Sequence, residues 1–202
     1  MASVKEIPAK LVAELRARTG AGMMDCKKAL EETSGELDQA VELLRKRNMA
    51  KADKRAGREA AEGLIEAYVH FTGKVAVLVE LNCETDFVAR TDAFRQLAKD
   101  VALHIASAAP LAVRIEDLPR DVVDTERRIY EAQVAEERKP EAVRVKIVEG
   151  RMKKFYADRV LLEQKFVKDE ERTVGELVKQ LAAQTGENVQ VRRFARFELG
   201  AS

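Results

Sequence analysis

Tryptophan is absent from the sequence, and aromatic residues of all kinds make up 5% of it. Each Phe in an unexpected place is therefore informative. Cysteine is almost as scarce. Cys26 and Cys83 are too few for a disulfide framework or a four-ligand zinc site, which points to a cytoplasmic protein with free thiols. No apolar run approaches the ~20 residues that a membrane helix needs. The opening MASVKEIPAK has no apolar h-region of the kind a secretory signal carries. Net charge of one sign is also missing, since Lys+Arg 36 against Asp+Glu 35 leaves +1. A protein held on nucleic acid by phosphate neutralisation needs a basic excess, so no direct nucleic-acid partner and no membrane partner is expected.

What remains is 202 residues, 46% hydrophobic and 35% charged, enough for one medium domain or for a small one plus a larger one. The first fifty residues read as a compact helical unit. Ser3 and Glu6 have capping-box spacing, and Ile7, Leu11 and Leu15 then recur on one helix face. TGAG at 19–22 breaks that helix, MMDCKKALEE fits a second, and TSG at 33–35 breaks again with Ser34 as a candidate N-cap. Leu37, Ala40, Val41 and Leu44 mark a third stripe. The expectation is a three-helix bundle of modest stability.

Residues 45–62 are mostly charged residues and alanine, which reads as a solvated, partly helical stretch. LIEAYVHF and VAVLVELNC, separated by TGK, then read as a β-hairpin. Phe94, Leu97, Ala98, Val101 and Ile105 form a helical stripe. Two charged helical stretches at about 121–138 and 140–157 meet at Lys139-Pro140 and suit an exposed helical hairpin. Thr173 and Glu176 repeat the capping-box spacing, and the alternating NVQVRRFARFEL reads as a strand returning to the hairpin. The predicted organisation is α+β: a three-helix domain over 1–54, a linker over 55–62, and a core over 63–202 of small antiparallel sheet, packed helices and the helical hairpin.

Chemistry-bearing motifs are few. TGAGMMDCKK has glycines and lysines, but its spacing does not fit a phosphate-binding loop, and a helix rather than a strand precedes it. Met23 and Met24 are adjacent on a helix, so they point in different directions. Spacing leaves open whether both tuck against neighbouring helices or one serves as an adaptable partner contact. Cys83 with His70 or His104 would supply a thiol and a base. No glycine-rich oxyanion loop follows, and a buried free cysteine and a satisfied histidine fit the pattern better. No enzymatic activity and no cofactor is expected. In NCETDFVAR, Thr85 or Asp86 can cap a helical turn and aim Phe87 in a defined direction. Spacing alone leaves Phe87 either packed in the core or projecting.

Four strings together resemble the bacterial elongation factor Ts family: LVAELRARTGAGMMDCKKALEE at 11–32, NCETDFVAR at 82–90, KIVEGRMKKF at 146–155 and TVGELVKQLAAQTG at 173–186. The resemblance implies a ubiquitin-associated-like three-helix domain and an α+β core with a helical hairpin. It implies guanine-nucleotide exchange on the translational GTPase elongation factor Tu. Thr85, Asp86, Phe87 and Val88 would then act beside the GTPase's magnesium and phosphates. Arg16, Met23 and Met24 would grip the same GTPase domain, and His70 resembles a hairpin histidine of longer members. Those members carry two related core halves, whereas one β-hairpin signal is visible here, so a homodimer joined through exposed sheet surface is expected. The competing readings are a ubiquitin-associated-like adaptor without exchange activity and a cysteine hydrolase.

Overall fold

The computed structural model describes residues 7–136 and 139–201. Ser3 and Glu6, the first candidate capping box, lie outside these residues. Helices α1 (Ala9–Thr19), α2 (Met23–Glu32) and α3 (Leu37–Asp53) form the expected bundle. Its core is Val12, Leu15, Cys26, Ala29, Leu30, Ala40 and Leu44, all buried, with Ile7, Leu11 and Leu37 packed around them. Ion pairs from Arg47 to Glu32 (2.6 Å) and from Lys51 to Asp25 (2.9 Å) carry α3 well past residue 45, so the charged stretch begins as the far end of a helix.

One predicted cap is corrected. Ser34 does not open α3. It sits at φ +55° and closes α2, with Ser34 N donating to Glu31 O (3.3 Å) and Gly35 N to Leu30 O (2.8 Å). That pair of bonds is a Schellman arrangement, in which the last carbonyls of a helix are satisfied by the left-handed residues after it.

The strands β1 (Glu62–Val69) and β2 (Val75–Cys83) form the predicted hairpin. His70 N donates to Val75 O (2.9 Å) across the turn, and Gly73 supplies the left-handed residue (φ +68°). After β2 come a single turn, α4 (Asp86–Ala89), and α5 (Asp92–Ala108), whose Phe94, Leu97, Ala98, Val101 and Ile105 are all buried. The helical hairpin is α6 (Arg120–Ala135) and α7 (Glu141–Arg159). Its Val134, Val148, Met152 and Phe155 share one buried cluster with Ala112, Leu118 and Val160. Its base is closed by Leu111 N donating to Arg159 O (2.8 Å) and Leu161 N donating to Ala112 O (2.9 Å).

A second, two-stranded antiparallel sheet, β3 (Lys165–Phe166) with β4 (Asp169–Thr173), was not expected, because its charged, short segments show no alternation. In α8 (Val174–Thr185) the second capping box is present. Glu176 N donates to Thr173 Oγ1 (3.1 Å), and Thr173 N donates to a Glu176 carboxylate oxygen (3.0 Å). The last strand, β5 (Gln190–Glu198), returns beside β2, giving the sheet order β1-β2-β5. Leu199 N donates to Lys74 O (2.8 Å), so the end of β5 meets the start of β2 and the pair runs antiparallel.

Compactness divides the chain into two units. One contains the residues up to Gly63 together with Asn82–Phe94 and Val178–Gln190, and the other contains Leu64–Leu81, Arg95–Leu177 and the residues from Val191 onward. The corner that carries Phe87 therefore belongs with the three-helix bundle and the end of α8.

Candidate functional site

The corner begins where β2 leaves the sheet. Cys83 is fully buried and its thiol donates to Thr85 O (3.1 Å). Burial pushes that thiol up to about 11, with the Glu187 carboxylate adding to the rise, so at neutral pH it is a protonated core group. The nucleophile reading fails on this point.

A strand end leaves backbone donors without ladder partners, and here one side chain takes them. Glu187, in the loop after α8, accepts from Glu84 N and Thr85 N through one oxygen (3.1 Å each) and from Thr85 Oγ1 through the other (2.6 Å). With its proton committed to Glu187, the Thr85 hydroxyl keeps lone pairs to accept from Val88 N (3.5 Å), which makes Thr85 the N-cap of α4. Asp86, the first residue of that turn, pairs with Arg90 (2.8 Å). Thr91 Oγ1 donates to Val88 O (2.8 Å) and accepts from Phe94 N (3.3 Å), so the end of α4 is joined to the start of α5.

Between buried Cys83 and buried Ala89, Phe87 is 79% exposed. The open question of the sequence is answered: the ring projects. Val88 is half-buried beside it. The bundle contributes Arg16, exposed on α1, and Met23 and Met24 at the start of α2, 47% and 64% exposed, so the two thioethers are not tucked into the bundle. All these residues fall within the first compact unit.

His70 belongs to the other unit. It is half-buried at the β1–β2 turn, with Nδ1 at 3.0 Å from the Tyr68 hydroxyl and its ring 4.4 Å from that of exposed Phe71. His104 is fully buried on α5. Its Nδ1 accepts from Val167 N (3.3 Å), so Nε2 carries the proton and donates to Gln164 Oε1 (3.0 Å), while Gln164 Nε2 donates to Asp158 O (2.8 Å). Every polar atom of the imidazole is satisfied, as for a structural histidine. Among the described residues no group of His, Cys, Asp and Glu could hold a metal ion. No helix among them is long and apolar enough to cross a membrane.

Glu84, Glu187, Asn188 and Arg58 were missed by sequence reasoning. The Glu84 carboxylate accepts from Asn188 N (2.6 Å) and pairs with Arg58 (3.5 Å), and Asn188 Nδ2 donates to Arg58 O (2.7 Å) and Ala56 O (3.4 Å). Partners 26 positions apart (Arg58 and Glu84) or more than a hundred apart leave no spacing signal. The one local hint is that GEN at 186–188 places polar groups directly before a strand.

The family model for elongation factor Ts matches residues 8–201. The chain belongs to the elongation factor Ts family. An elongation factor Ts of Thermosipho melanesiensis is 53% identical over 194 residues, covering 96% of this chain and 99% of the relative. One from Fervidobacterium nodosum is 53% identical over 195 residues with the same coverage. The elongation factor Ts of Geobacter sulfurreducens is 54% identical over 194 residues, 96% of this chain and 90% of its own length.

Proposed function

We propose that the protein is a guanine-nucleotide exchange factor for elongation factor Tu, the general role that family membership supports, acting in the cytoplasm. It releases GDP by inserting Phe87, with Asp86 beside it, near the magnesium and phosphates of the GTPase. Thr85 and Val88 frame the ring, Arg16, Met23 and Met24 hold the same GTPase domain, and His70 adds a minor contact. The observation that carries this reading is the 79% exposure of Phe87 on a corner with buried residues on either side. An isolated ring on so fixed a base has no role in this chain's own packing.

The mechanism is a shift of population, with no bond made or broken. A ring accommodated only when the magnesium-holding elements move apart binds the loosened GTPase better than the closed one, and shifts the equilibrium by that difference alone. The coupling is reciprocal: the factor weakens nucleotide binding, and nucleotide weakens factor binding by the same ratio. Incoming GTP therefore displaces the factor. No nucleotide loop and no catalytic base is needed on this chain.

A homodimer is part of the proposal. Ile65, Ala67, Val69, Leu78, Ala195 and Phe197 are exposed and, by strand alternation, share one face of the β1-β2-β5 sheet. Exposed apolar side chains on a sheet surface, with the Arg193–Glu80 ion pair among them, are suited to a second copy of the same surface. The functional test is release of fluorescently labelled GDP from purified elongation factor Tu. Substoichiometric protein accelerates it under the proposal, and no acceleration at micromolar concentration refutes it.

A further inference from the structure

We infer that Glu187 is the positioning residue of the exchange reaction: its carboxylate stiffens the Thr85–Val88 corner so that the Phe87 ring displaces the partner's groups instead of yielding to them. The inference rests on the exchange reading above. The geometry is a reciprocal brace between two distant segments. Glu187 accepts from Glu84 N, Thr85 N and Thr85 Oγ1 (3.1, 3.1 and 2.6 Å), while Glu84 accepts from Asn188 N (2.6 Å). Each glutamate thus satisfies backbone of the other's segment. An ionised carboxylate only accepts and has room for several donors, which suits the converging N–H and O–H groups at a strand exit.

The same brace reaches the bundle. Asn188 Nδ2 donates to carbonyls of Ala56 and Arg58, just after α3. The last turns of α8, immediately before Glu187, are fastened to the bundle in three places. Lys179 pairs with Asp53 (2.7 Å), Arg55 donates to Ala182 O (3.4 Å) and Gln184 Nε2 donates to Thr19 O (3.4 Å). Gly20 is what allows that last approach, because it has φ +67° and a Cβ there would collide with the Gln184 amide. The bundle and the corner are therefore presented to a partner as one body.

Rigidity matters here for a thermodynamic reason. If the corner samples many orientations, only the competent fraction acts, and the effect of the ring falls by that fraction. Docking through Arg16, Met23 and Met24 does not depend on it. Losing the brace should therefore lower the maximal rate of GDP release while leaving the half-saturating concentration of the factor nearly unchanged.

The test is a titration of labelled-GDP release with the full-length wild type, Glu187→Ala, Phe87→Ala and the double variant, and with Glu187→Gln, which keeps one acceptor oxygen. The expected result is a roughly ten-fold lower maximal rate for Glu187→Ala, with a half-saturating concentration within about two-fold of wild type. Glu187→Gln recovers part of the loss, and Glu187→Ala adds nothing in the Phe87→Ala background. Amide hydrogen exchange supplies a readout independent of the partner: Thr85 and Val88 exchange faster in Glu187→Ala, with α5 unchanged. Should Glu187→Ala not fold, the same two readouts on Glu187→Gln decide. An unchanged maximal rate, an equal loss in the Phe87→Ala background, or unaltered exchange at Thr85 and Val88 overturns the inference. If wild type itself does not accelerate release, the exchange reading fails, and the hydrogen-exchange arm still reports on the brace.

Discussion

Replacing Phe87 by Ala separates the exchange reading from any structural role for the ring. A Phe side chain can bury about 200 Å², and with 79% of it exposed about 160 Å² is available to a partner. At about 25 cal/mol per Å² the ceiling is about 4 kcal/mol. Ordering the ring and desolvating polar groups around it consume part of that, and an interface anchor of this type is worth about 2 kcal/mol or more on truncation. About 2 kcal/mol corresponds to roughly a thirty-fold loss of coupling. In the free protein the same ring touches little, so stability should change by no more than about 0.5 kcal/mol. The assay is paired: stopped-flow release of labelled GDP at saturating factor, and thermal unfolding of the variant alone. Release slowed by an order of magnitude or more with an unmoved melt is the expected outcome. Full-speed release, or a melt lowered by many degrees, refutes the reasoning.

Leu30→Ala empties a fully buried site in the bundle and should cost about 2–5 kcal/mol, enough to unfold so small a core; loss of helical circular dichroism in urea at lower concentration checks it. His104 titrates below its ordinary value of 6.5 because burial disfavours the imidazolium, an effect that the Gln164 bond only partly offsets. Its contribution to stability is therefore full above about 6.5 and is lost as pH falls from there through the folded value. Melts at pH 7.5 and 5.5 should differ more for wild type than for His104→Asn, and equal differences would dismiss the effect. Phe197→Asp places a charge on the apolar sheet face and should convert a dimer into a monomer in light scattering, with its fold intact.

The parts of the fold that were legible are those written in near neighbours. The α5 stripe, the Thr173/Glu176 cap and the alternating β5 each depend on spacings of two to four residues, and each appears where the spacing put it. TSG misled because glycine after serine suits the end of one helix as well as the start of another, and the left-handed Ser34 decided for the end. The pair β3–β4 was invisible because Asp169–Thr173 gains its strand conformation from its partner rather than from its own side chains. At the corner, sequence supplied Thr85 or Asp86 as a cap but could not say which of them caps or which way Phe87 faced, since the latter depends on the burial of Cys83 and Ala89. Glu187 was hinted at only by the polar GEN before the last strand, because its meaning lies in donors that the chain brings to it from a hundred residues away.

The helical hairpin α6–α7 carries Val134, Val148, Met152 and Phe155 between its own two helices and is latched at its root by Leu111 and Leu161. Because Ala112, Leu118 and Val160 complete that cluster at the root, the other end can be lengthened or trimmed by paired helical turns at Lys139-Pro140 without disturbing what lies below the latch. Its reach is thus a dimension that can drift or be engineered independently of the corner and the bundle. A reporter sequence grafted at that tip would leave the rest of the molecule as it is.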